Sequence, residues 1–84
     1  MERPHDAVLR FPYPAERRAR LVADAVRVET AGVAAVDDRS RTEVELAGET
    51  VVVRVTAADL VALRAACATW TRLVEVAEGV VDSM

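Results

Sequence analysis

The last third of the chain, Thr56 to Val81, reads as one helix that is apolar on two sides, and this restricts what the chain can be. Leu60, Leu63, Cys67, Trp70, Val74, Ala77 and Val81 recur at steps of three and four, a heptad pattern kept for three repeats. Ala62, Ala66, Leu73, Val76 and Val80 make a second row beside it. One row suffices to cover a small sheet. The other has nothing left to bury against in 84 residues, so the pattern predicts a partner, either a second copy or another subunit.

The length sharpens this. A chain of this size is expected to be one domain spanning 1–84, with 1–6 as a flexible lead-in, and to bury only about 60–65% of its unfolded surface. Small domains compensate with disulfides, metal or association. The single cysteine, Cys67, excludes an intramolecular disulfide, and the single histidine, His5, stands in no Cys/His cluster that would hold zinc. Association is what remains, and a homodimer is the expectation. Cys67 in an apolar seam is read as a small buried hydrophobe in a reducing compartment. With no apolar run long enough for a span and no hydrophobic leader, the reading is a cytoplasmic protein without membrane contact. All eleven basic residues are arginine, which suggests a GC-rich genome, and the net charge of −3 does not mark a nucleic-acid binder.

Along the chain, Ala7 to Phe11 is a short strand with Val8 and Arg10 on one side and Leu9 and Phe11 on the other; Pro12 and Pro14 end it. Ala15 to about Val28 is a first helix, its apolar stripe Ala15, Ala19, Val22 and Val26, with Leu21, Ala25 and Val28 beside it. Glu16 with Arg20 and Arg20 with Asp24 are i,i+4 pairs. Gly32 is expected to break this helix, and Asp37 to Ser40 to be loop. Thr42 to Leu46 alternates, and Thr50 to Thr56 is the most β-branched run; Ala47-Gly48-Glu49 joins them as a hairpin. Thr56 is read as the cap of the second helix, with Asp59 at the capping-box acid position. The sum is an α+β fold, β-α-β-β-α: a three-stranded antiparallel sheet with the third strand central and both helices packed on one face. Its opposite face should show either Val52 or Val51 and Val53 to solvent.

No catalytic constellation emerges. His5 has no nucleophile near it, Cys67 has no histidine on its helix face, and Asp37 and Asp38 are read as a solvated loop rather than metal ligands. Three glycines are too few for a phosphate cradle, so neither cofactor nor small-molecule substrate is expected, and the chain is not read as an enzyme. Arg17, Arg18 and Arg20 admit two readings: an RNA-backbone contact, or a solvated helix face balanced by Glu16 and Asp24. The element order invites comparison with KH-type RNA modules, but the GXXG loop and aromatic platforms of RNA readers are absent. A small ligand-sensing or KH-like RNA-binding module is the alternative to an interaction subunit.

The string Thr56 to Gly79, TAADLVALRAACATWTRLVEVAEG, resembles the C-terminal helix of the small dimerisation subunit of the KEOPS complex, the Pcc/CTAG family. The resemblance lies in Asp59-Leu60, Leu63-Arg64-Ala65, Trp70 and Val76-Ala77-Glu78, and the preceding hairpin matches in position and character. It implies a non-catalytic, archaeal, homodimeric subunit that packs its helices on the catalytic subunit of KEOPS, which installs threonylcarbamoyl on adenosine 37 of tRNA. Two copies of the complex would be joined, with tRNA met only indirectly, within the assembly. The partner interface expected on these grounds is Leu60, Leu63, Cys67, Trp70, Val74 and Ala77; Trp70 serves equally as an anchor in a partner's pocket or as core.

Overall fold

The structure is a computed structural model; it describes residues 4–33 and 39–84, the side chains of 29–33 excepted. The elements follow in the order β1 (His5–Pro12), α1 (Glu16–Val33), β2 (Ser40–Ala47), β3 (Thr50–Ala57) and α2 (Leu60–Asp82). The sheet order is β1-β3-β2, with both outer strands antiparallel to β3. This is the α+β arrangement read from the sequence, with the hairpin's second strand in the middle.

Register decides which side chains face the helices. Leu9 pairs with Val53 and Val53 with Val44; Phe11 pairs with Val51 and Val51 with Leu46. These rows form the inner face and pack with Ala19, Val22, Ala23 and Val26 of α1 and Trp70, Val74 and Ala77 of α2. α1 lies over β2 and β3, and α2 over β1 and β3. The hairpin closes at Gly48, φ +62°, followed by Glu49 at negative φ, the signature of a II′ turn whose twist suits the two strands.

The structure corrects several expectations. His5 and Asp6 are not part of a loose lead-in; they pair with Ala57 and Thr56 and extend β1. The strand ladder also claims Thr56, which pairs with both Asp6 and Arg41, so α2 begins at Leu60 and not at Thr56. The cap is Asp59, whose carboxylate accepts the Ala62 N–H at 2.8 Å. Gly32 does not break α1, which continues to Val33. A helical glycine costs about 1 kcal/mol and does not by itself end a helix. Asp24 pairs with Arg27 at 3.2 Å, while Arg20 pairs with Glu16 at 2.8 Å. Val52, the residue of its run on the outer face, is only 5% exposed. Its cross-strand neighbours are Arg10 and Glu45, long side chains whose stems shield it. Asp37 and Asp38 lie outside the described residues.

Asp59 also forms an ion pair with Arg39, which ties the start of β2 to the start of α2. The Ala62 N–H first, and Arg39 second, hold its carboxyl below the usual carboxylate range. A folded-state value below the unfolded one adds stability that is present above the ordinary carboxylate pKa and lost as pH falls through the folded value. Asp59→Asn, which caps without charge, should therefore melt below the native chain at pH 7. The gap should close below about pH 4, as melts at the two pH values would reveal. A gap unchanged in acid would remove the charge from the account.

Candidate protein-interaction surface

At 100° per residue, α2 divides into three faces. The core face is Ala62, Ala66, Trp70, Val74 and Ala77, all buried. Ala62 and Ala66 come from one of the rows seen in the sequence, and Trp70, Val74 and Ala77 from the other. The flank toward α1 carries Cys67, Glu78 and Asp82. The outward face carries Val61, Ala65, Ala68, Arg72, Glu75, Val76 and Gly79, all exposed, while Thr69 and Val80 lie on the flank away from α1. Val61 is 73%, Val76 49% and Val80 52% exposed. Arg72 and Glu75 are the charges of the outward face.

The six expected interface residues are therefore not one surface. Trp70 is 3% exposed, and with Val74 and Ala77 it fills the protein's own core. Leu63 is half-buried against the core, and Cys67 is half-buried. Leu60 is exposed at the first turn. The row Val61, Ala65, Ala68 and Gly79 was not singled out by sequence reasoning. The signal was present as small apolar residues at steps of three and four, but alanine and glycine carry little hydrophobic weight and Arg72 interrupts them.

Gly79 bears on this face. It lies within a helix, where glycine is unfavourable, and a Cβ built there would meet nothing within 4 Å. Packing inside the chain does not require a glycine at this position; close approach of another backbone would.

The flank toward α1 is polar and engaged. The Tyr13 hydroxyl donates to Glu78 Oε2 at 2.7 Å, and Arg18 Nη1 meets Asp82 Oδ1 at 2.6 Å. Burial first, then the carboxylate of Glu78, pushes the Tyr13 hydroxyl well above its ordinary value. Of the three arginines considered for RNA, Arg18 is held by Asp82 and Arg20 by Glu16, while Arg17 is exposed with no ion pair among the described residues. A depression beside Cys67, Ala68, Thr71, Arg72 and Glu75 is open and built from α2 alone, a poor enclosure for a small molecule.

The family model described as transcription factor Pcc1 matches residues 6–82. The chain belongs to the Pcc1 family. No curated protein matches it. The Pcc1 match begins inside β1 and ends at the last residue of α2, so it takes in all five elements. Among the described residues no group of three or more His, Cys, Asp or Glu is placed to hold a metal ion, and no helix is long and apolar enough to cross a membrane.

Proposed function

We propose that this Pcc1-family chain is a non-catalytic, homodimeric subunit of the KEOPS complex, joining catalytic subunits for biosynthesis of threonylcarbamoyladenosine at position 37 of tRNA in an archaeal cytoplasm. The observation that carries this reading is the outward face of α2, where small and apolar residues run exposed over about 27 Å of helix with Arg72 and Glu75 among them, on a fold whose core is already filled. A groove between two helices of a larger subunit fits such a face, and the small residues allow backbones to approach closely. The domain as a whole is taken to be the single unit 1–84.

The second copy is assigned to the open edge of β1. Antiparallel pairing of two β1 strands about a two-fold axis at Val8 sets Asp6 of each copy opposite the partner's Arg10, twice over. It also sets Ala7 opposite the partner's Leu9 on the inner face. Asp6 and Arg10 make no ion pair within the described residues, so both charges are available. Val80 lies about 200° around α2 from Glu78, on the flank away from α1, and is proposed to continue the contact. Arg10→Glu should shift the mass by light scattering from a dimer toward 9.1 kDa. Exchanging the two charges, Asp6→Arg with Arg10→Asp, should restore the dimer. A native chain that is monomeric at micromolar concentration would contradict the homodimer.

Any RNA contact is proposed to run through Arg17, Arg18 and Arg20 within the assembly. Replacing all three by Gln should weaken tRNA binding by the complex across sequences and flatten its salt dependence, read by gel shift at two salt concentrations. Unchanged affinity and slope would return them to a solvated face. The family's description as a transcription factor gives a second reading, direct duplex binding. A recognition helix needs an unpaired basic face. On α1, Arg18, Arg20 and Arg27 are each matched to a carboxylate, and the whole chain carries −3, so the surface favours a protein partner.

A further inference from the structure

The last turn of α2 is held differently from the rest of the helix. As far as Ala77 apolar side chains pin it to the sheet; beyond that point only Val81 packs against the core, and only partly. Gly79 weakens the helix in this stretch. Glu78 and Asp82, one turn apart, straddle Gly79; Glu78 is held by Tyr13 in the junction of β1 and α1, and Asp82 by Arg18 in the first turn of α1. Tyr13 in that junction is buried, and its own N–H donates to the Glu49 carbonyl at 2.9 Å, which fixes it to the hairpin. The Arg18 guanidinium stands 5.9 Å above the Tyr13 ring and spans to Asp82. Three elements thus converge on one tyrosine, the only one in the chain.

We propose that Tyr13 and Arg18 form a latch that seats the last turn of α2 and thereby completes the docking face at Gly79. The proposal rests on the reading of that face as an interaction surface. With the latch closed, Gly79 presents its bare backbone at a fixed place. With it open, the residues after Gly79 fray, because little apolar contact remains to hold them. The two halves of the latch differ in access. Arg18 is about one-third exposed and Asp82 more than half, whereas the tyrosine is sheltered, so the hydroxyl contact is the stable half and the ion pair the adjustable one. Toward the protein partner Tyr13 and Arg18 are positioning residues and need not touch it.

Amide exchange on the full chain, paired with dissociation kinetics from the KEOPS catalytic subunit, tests the proposal. In Tyr13→Phe and Arg18→Gln, the amides of residues 80–84 should exchange about fivefold faster or more, while those of β3 keep their rates. Dissociation should quicken by a similar factor. Exchanging the charges, Arg18→Glu with Asp82→Arg, should restore both rates, which a loss of packing alone would not allow. Should Tyr13→Phe fail to fold, Arg18→Gln carries the test, since Arg18 lies outside the core. Unchanged exchange at 80–84 would overturn the latch. Faster exchange with unchanged dissociation would overturn its link to docking. A native chain that never binds the catalytic subunit would remove the docking reading itself, with the exchange rates still reporting on the latch alone.

Discussion

Trp70→Ala is expected to leave a chain that does not fold. The indole is 3% exposed at the centre of the cluster that joins both helices to Val51, Val53 and Val55. Truncating a buried tryptophan removes about 3–5 kcal/mol. A domain of this length has a total stability of about 4–13 kcal/mol, so the loss takes much or all of it. Apart from Tyr13, the fully buried side chains of that cluster are valines and alanines, too short to close over the space. Far-ultraviolet circular dichroism with a thermal melt checks this. Trp70→Phe, which keeps a ring in the site, should fold with a lowered midpoint. A cooperative melt for Trp70→Ala within a few degrees of the native chain would mean that the residue is not the core element its burial indicates.

Ala65→Glu together with Ala68→Glu should do the reverse: keep the fold and lose the partner. Both positions are exposed on the outward face, and glutamate is a good helix former, so the melting midpoint should move little. Within an interface the same two carboxylates would be desolvated without partners, at a cost of several kcal/mol, and affinity for the catalytic subunit should fall on the order of a hundredfold or more. Gly79→Ala refines the test. It should stabilise the free chain by about 0.5–1 kcal/mol, because alanine restores helix propensity where a Cβ has room. It should also weaken binding if a partner backbone approaches there. A partner that binds the double glutamate variant as well as the native chain would contradict the assignment of this face.

Much of the fold was legible because three local signals agreed. Thr42 to Leu46 alternates, Val51 to Val55 is β-branched but for Arg54, and a glycine stands at the hairpin turn that needs positive φ. These fix the hairpin, and the hairpin makes β3 central. The ends of elements were less legible. Thr56 reads as the cap and Asp59 as its capping-box acid, and only the pairing of Thr56 with two strands shows why the ladder outcompetes the helix there and leaves Asp59 as the cap. The interaction surface was the least legible part. Rows at steps of three and four lie only some tens of degrees apart around a helix, so sequence alone does not tell which of two adjacent rows meets the sheet. The core took three residues of one row and two of the other, and Trp70, the strongest anchor by composition, went inside. Val52 shows the converse, an apolar residue on an open face that its charged neighbours cover.

The most direct measurement is the light-scattering mass of the chain mixed with the KEOPS catalytic subunit, beside each protein alone. The account predicts a dimer of the 9.1 kDa chain on its own and a mixed complex holding two chains and two catalytic subunits. A chain that runs as a 9.1 kDa monomer both alone and in the mixture would contradict it.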